Sequence, residues 1–196
     1  MKPVLLLMDY QEGICRSDGI FGSAGMGAEV ERRGVLSVAA SALHRFRESG
    51  YPVVHTKLEV DPTAHILTSS SAPFSAVREH GLMRTGDPAT DFCPEVAPAP
   101  DERIIRKGGF GPFAGTSLEA YLHQVGPDEL VMGGVSTNHV VESAVRYASD
   151  VGFPVTVLED LCASSSPELH RFAIEEVIPS FATVLTSSKY FKFWDN

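Results

Sequence analysis

Leu130-Val-Met-Gly-Gly-Val-Ser-Thr-Asn-His-Val-Val-Glu-Ser-Ala-Val-Arg146 is the stretch whose reading decides the fold. Its opening residues form an apolar run of the kind buried on both faces of a parallel sheet. Two glycines then turn the chain, and the residues after them start a helix. Working outward, Val4 to Met8 is a second such run, bounded by Pro3 and Asp9. Pro52-Val-Val-His-Thr-Lys57, Arg103-Ile-Ile-Arg106, Pro154-Val-Thr-Val-Leu158 and Ala182 to Thr186 read as further strands. Between them lie helical segments. Glu29 to Ser49 carries the stripe Val35, Leu36, Ala39, Leu43 and Phe46 and ends at Gly50, and others span Thr116 to Val125, Asn138 to Asp150 and Pro167 to Ile178. Strands alternating with helices make an α/β fold, a three-layer αβα sandwich around a parallel sheet with right-handed crossovers. No repeat or linker divides the chain, so residues 1–196 read as a single domain.

The chain has 196 residues with 43% hydrophobic and 21% charged side chains, the balance of an ordinary globular domain. Its net charge is −9 and its lysines and arginines are scattered, which argues against nucleic acid and toward a small-molecule substrate. Cys15, Cys93 and Cys162 are widely spaced, odd in number and free of C-x-x-C pairing, which implies neither a disulfide framework nor a zinc site, and a reducing cytoplasmic location is the expectation. The apolar start stops at Asp9 without a cleavage-site pattern, and no apolar run is long enough to span a membrane. The proline-rich interval from Asp61 to Pro100 reads as an irregular excursion of the sort that carries function.

In a sheet of this type ligands bind beyond the carboxyl ends of the strands. Asp9, Lys57, Lys107, the segment Gly133 to Val140, and Asp160 with Cys162 all follow strands, so one cleft could be lined by all of them. Asp9 is either a turn residue or a rim carboxylate, and Lys107 is the cation that could pair with it. Lys107 opens Lys107-Gly-Gly-Phe-Gly-Pro-Phe113, whose glycines permit close approach of a ligand, but the spacing fits neither a phosphate loop nor a dinucleotide fingerprint, and no cofactor is expected.

Taken together, Asp9-Tyr-Gln11, Lys107 with Phe113-Ala-Gly-Thr116, Gly134 to Val141, and Glu159-Asp-Leu-Cys-Ala-Ser164 followed by His170 resemble the motifs of the isochorismatase-like, or cysteine hydrolase, family along almost the whole chain. The resemblance implies a six-stranded parallel sheet, a homo-oligomer, and a site built from Asp9, Lys107 and the loop containing Gly134, Val135, Ser136 and His139, with a cis peptide at Val135-Ser136. In many members the aspartate takes the proton of a cysteine, the lysine stabilises charge, and the thiolate attacks an amide, urea or nitrile-like carbon. Counting from Gly134 puts Val140 at that cysteine's position, and valine has no nucleophilic chemistry.

Three readings follow. In one, the chain resembles cysteine-lacking members that protonate an enol ether with the site aspartate and let water capture the product. In another, a different residue supplies the nucleophile or base. His139, Cys162 and Cys15 are the candidates, although in an α-helix His139 points about 100° away from residue 140. The third is a catalytically inactive module that binds a small molecule or a protein. Gln11, Phe110 and Phe113 suit a small planar substrate, and Arg78 or Arg84 could hold its carboxylate. Nicotinamidases of the family hold a metal after the second strand. Here His55, Asp61 and His65 do not reproduce that spacing, and no metal is expected. The leading expectation is a hydrolase acting on an enol ether or C–N bond, with Asp9 as acid or base and Lys107 as its partner. The aromatic end, Lys189 to Trp194, packs either on the domain or on another subunit.

Overall fold

The structure, a computed structural model, describes residues 2–60 and 69–194. Strand β1 (Pro3–Met8) is followed by helices α1 (Glu12–Cys15), α2 (Met26–Arg32) and α3 (Val35–Glu48), then by β2 (Val53–Leu58) and α4 (Ala72–Glu79). Next come β3 (Arg103–Lys107), α5 (Leu118–Val125), β4 (Glu129–Gly134), α6 (Glu142–Asp150), β5 (Val155–Leu158), α7 (Pro167–Phe172), β6 (Thr183–Leu185) and α8 (Ser187–Lys192). The six strands pair in parallel in the order β3-β2-β1-β4-β5-β6, the expected α/β sheet.

Side chains alternate across a strand, and β1 divides accordingly. Leu5 and Leu7 join the apolar cluster containing α3, while Val4, Leu6 and Met8 join the one containing α5 and α6. Both faces of the sheet are therefore covered, which is why these strands read as unbroken apolar runs. The order reverses between β1 and β4, so a crevice opens beyond the carboxyl ends of these two neighbours.

Several boundaries differ from the sequence expectation. The helix expected from Glu29 to Ser49 is two helices, because Gly34 adopts φ 64° and breaks the hydrogen-bond ladder between α2 and α3. The excursion after β2 contains a true helix, α4, whose Phe74 and Val77 are buried one turn apart. Residues Thr137–Val141 form a wide π-helical turn ahead of α6, and Ala173–Val177 form another after α7. The aromatic end folds back on its own domain, with Phe191 and Trp194 at 6.2 and 4.9 Å from the ring of Phe46. Among the described residues no helix is long and apolar enough to cross a membrane.

Candidate active site

Asp9 is the first residue after β1 and takes a left-handed backbone, φ 62°, which a short polar side chain tolerates better than most. Its amide donates to Thr56 O on β2, so the turn is tied to the neighbouring strand. The carboxylate accepts from Thr56 Oγ1 at Oδ1, 2.7 Å, and lies 2.7 Å from Lys107 Nζ at Oδ2. The two charged side chains are only 6% and 2% exposed. Lys107 reaches inward from the end of β3, an edge strand, and its ammonium also donates to Gly109 O at 2.8 Å. An ammonium has three N–H groups, so one remains for a ligand.

The second wall comes from the end of β4. A Cβ at Gly134 would stand 2.7 Å from Met8 Cβ and 2.8 Å from Met8 O, so only glycine lets β4 pass this close to β1. The chain then crosses the cis Val135-Ser136 peptide and enters the wide turn. Thr137 anchors that turn, its amide donating to Ala163 O and its hydroxyl lying 2.8 Å from His170 Nδ1. His139 and Val140 both line the cavity. The expectation that His139 points away from residue 140's direction is thus corrected: it assumed α-helical spacing, which the wide turn does not have. His139 Nδ1 lies 2.8 Å from Ser136 Oγ, and its ring stacks on Phe110 at 4.8 Å with 16° between planes. Phe74 meets Phe110 edge-on at 4.9 Å. Desolvation lowers the His139 pKa below the ordinary imidazole value, against the opposing charge of Glu142.

These groups enclose a cavity of about 240 Å³. Asp9, Lys107, Ser136 and His139 supply polar side chains to its lining, Val140 occupies the position where the resemblance expects a cysteine, and Phe21, Met26, Leu58, Phe74, Val77 and Phe110 supply much of its apolar wall. Against an apolar wall the few polar groups interact more strongly than they would in water.

Other candidates are placed elsewhere. Gln11 is fully buried with its amide consumed by the backbone: Nε2 donates to Leu58 O and Thr90 O, and Oε1 accepts from Leu58 N at 2.7 Å. It fastens β2 to the following segments instead of touching substrate. Phe113 is packed in the core and stacked on Tyr147, Arg84 is exposed on the surface, and Arg78 donates to Ser69 O and Ser75 Oγ; none of them lines the cavity. Lys57 pairs with Glu59, and Asp160 accepts from the amide and hydroxyl of Ser187 at the start of α8, so neither joins the cleft. Cys162 is fully buried, and desolvation pushes its thiol up to about 12. Cys15 is buried too, held well above the ordinary thiol range by a hydrogen bond with Cys93 and by desolvation. His55 is buried against Glu102 at 2.9 Å, while Asp61 and His65 lie outside the described residues.

Thr56, Phe74 and Val77 escaped the sequence reading, as did the contact between Ser136 and His139, although both of those residues were expected in the site loop. Thr56 sits in mid-strand, and only its registration opposite Met8 brings it to Asp9. Ser136 and His139 meet through the wide turn, which has no simple periodic signature. Phe74 and Val77 carried a usable signal, apolar residues three apart behind a proline, but it was short.

The isochorismatase domain profile matches residues 3–189 of this chain. The isochorismatase family protein YecD of Escherichia coli O157:H7 is 33% identical over 185 residues, covering 92% of this chain and 89% of that protein. The maleamate amidohydrolase of Pseudomonas putida is 28% identical over 188 residues, covering 94% and 83%. An isochorismatase-like hydrolase from Alkaliphilus metalliredigens superposes with a TM-score of 0.80 at 24% identity, covering 99% of each chain, and shares the fold.

Proposed function

This chain belongs to the isochorismatase family, and on that premise we propose that it hydrolyses a C–N bond of a small acyl compound, with Asp9 as the general base and no thiol nucleophile. The family's hydrolases include the amidohydrolase named above, which supports the reaction class. The observation that carries the choice of base is the state of Asp9: both oxygens accept hydrogen bonds, one from a hydroxyl and one from an ammonium. A carboxylate in that setting is an acceptor, suited to taking a proton from the water that hydrolysis consumes. Lys107 neutralises the carboxylate and keeps one N–H for the substrate's carbonyl oxygen, where negative charge develops as that carbon becomes tetrahedral.

The apolar wall favours a small substrate with a planar or hydrocarbon body. A substrate carboxylate belongs at the open mouth, since the one lysine inside is already balanced by Asp9. The enol-ether reading needs Asp9 to donate a proton, whereas both of its oxygens are engaged as acceptors by Thr56 and Lys107, and it ranks second.

A turnover screen read by mass spectrometry tests the proposal, using dicarboxylic monoamides, aromatic amides, carbamoyl compounds and enol ethers, with Asp9→Asn as the blank. Asp9-dependent amide cleavage supports it. Asp9-dependent cleavage of the enol ethers alone shifts the assignment to acid catalysis. Turnover by Asp9→Asn at the wild-type rate removes Asp9 from the chemistry. A protein that binds panel compounds without turning any over is a binding module.

A further inference from the structure

The turn that brings Val140 to the cavity also brings a hydroxyl and an imidazole into contact there. Ser136 is 6% exposed, lines the cavity with Asp9 and Lys107, and holds its Oγ 2.8 Å from His139 Nδ1. A serine at the start of a helical turn ordinarily caps it, accepting from an amide two or three residues on. Ser136 occupies that position but makes no such side-chain cap; its hydroxyl goes to the histidine. The imidazole is fixed in its turn by an aromatic stack, Phe110 flat against it and Phe74 edge-on to Phe110. Nucleophile, base and an element that orients the base are the three parts that activate a serine.

Resting on the C–N hydrolase reading above, we propose that Ser136 is the nucleophile that replaces the family's thiol, with His139 as its base in the first half-reaction and Asp9 as the base in the second. With the imidazole proton on Nε2, Nδ1 takes the hydroxyl proton as Ser136 Oγ bonds to the acyl carbon and the carbonyl electron pair moves onto oxygen. That pair returns, the C–N bond breaks with its electrons going to nitrogen, and the imidazolium gives nitrogen its proton, leaving an acyl ester on Ser136 and a free amine. Water then loses a proton to Asp9 while its oxygen adds to the acyl carbon. The C–Oγ bond breaks, Oγ regains a proton from Asp9 relayed through water, and a carboxylic acid leaves. The sum is amide plus water giving acid plus amine. The lowered His139 pKa keeps the ring neutral and able to accept at physiological pH.

The experiment treats the whole protein with a fluorophosphonate, and separately with p-nitrophenyl acetate, and follows intact mass and peptide maps. Wild type should acquire the phosphonyl group on Ser136, and Ser136→Ala should not. Asp9→Asn should accumulate the acetyl group on Ser136, because forming the ester needs His139 and breaking it needs Asp9. His139→Gln should slow labelling by roughly 100-fold or more without moving its site. The labelling of wild type requires no variant to fold, and circular dichroism checks the others. Wild type left unlabelled at Ser136, or Ser136→Ala retaining amide turnover, overturns the proposal. If in that case Asp9→Asn is inactive and carries no adduct, the water-and-Asp9 reading survives and the serine alone is eliminated. If Asp9→Asn turns over normally, the C–N hydrolase reading falls with it.

Discussion

Replacing Lys107 with Met removes the cation while keeping an unbranched stem, and so isolates what the buried ion pair does. The charged atoms lie 2.7 Å apart on side chains 2% and 6% exposed. With an effective dielectric of about 20, Coulomb's law gives unit charges at this separation about 6 kcal/mol of attraction. Removing two ions from water costs several kcal/mol each, so the pair as a whole adds little net stability. The single replacement is a different matter, because it leaves Asp9 buried opposite a thioether, at a cost of about 3 to 5 kcal/mol. For a urea m value of about 2 kcal/mol per M, the unfolding midpoint should fall by about 2 M. Asp9→Asn strands the ammonium in the same way, although asparagine tolerates the left-handed backbone and can still meet Thr56. Asp9→Asn with Lys107→Met removes both charges together and should be more stable than either single variant, which requires a coupling larger than either single loss, at least about 4 kcal/mol, while remaining inactive. Urea titrations of the four proteins complete the cycle. A Lys107→Met protein within about 1 kcal/mol of wild type, or a double variant with no coupling, would refute the reasoning.

Gln11→Leu should lose about 3 kcal/mol in thermal or urea unfolding, because Leu58 O, Thr90 O and Leu58 N each lose their side-chain partner; Arg84→Ala should leave stability within about 0.5 kcal/mol and KM unchanged. Val140→Cys removes about one methyl group from a buried wall and should cost under about 1.5 kcal/mol. The thiol placed there should be alkylated by iodoacetamide while buried Cys15, Cys93 and Cys162 are spared, as read by peptide mass. Desolvation pushes the Glu102 carboxyl up, but hydrogen bonds from Arg47, His55 and the Ala99 amide outweigh it and hold the group well below the usual range. The folded value lies below the unfolded one, so this contribution is complete above about pH 4.3 and lost as pH falls toward the folded value; Glu102→Gln should flatten the acid slope of the urea midpoint in that window.

The sequence made strands legible wherever an apolar run ended on a charged or glycine residue, and it placed Asp9, Lys107 and Gly134 to Val140 at strand ends for the same reason. What it left out were relations between strands. Asp9 and Lys107 meet only because β3, β2 and β1 are neighbours in that order, and Thr56 joins them only because it pairs with Met8. Polar residues near a strand end misled when the backbone had prior claim on them: Gln11 looks like a ligand contact until the groups of Leu58 and Thr90 are seen to saturate its amide. His139 misled differently, since the 3.6-residue period was applied to a turn that does not have it. The break at Gly34 was readable in principle, a glycine inside a helical stripe, yet the continuity of the apolar positions on either side concealed it.

For the proposed hydrolysis, charge is the property by which this cavity would select substrates. Lys107 is the cation inside it, and the 2.7 Å contact with Asp9 leaves that pair formally neutral. Neither Arg78 nor Arg84 lines the cavity, and His139 is held toward its neutral form, so a deeply bound carboxylate would enter an apolar wall with no uncompensated positive charge to meet it. The chain's net charge of −9 repels a dianion at long range as well. A neutral acyl group has neither penalty: its carbonyl oxygen needs one N–H, which the ammonium retains, and acquires full charge only as the tetrahedral intermediate forms. In the proposed reaction the pair is thus better matched to the intermediate than to the bound substrate, and that difference, not ground-state affinity, is what would lower the barrier.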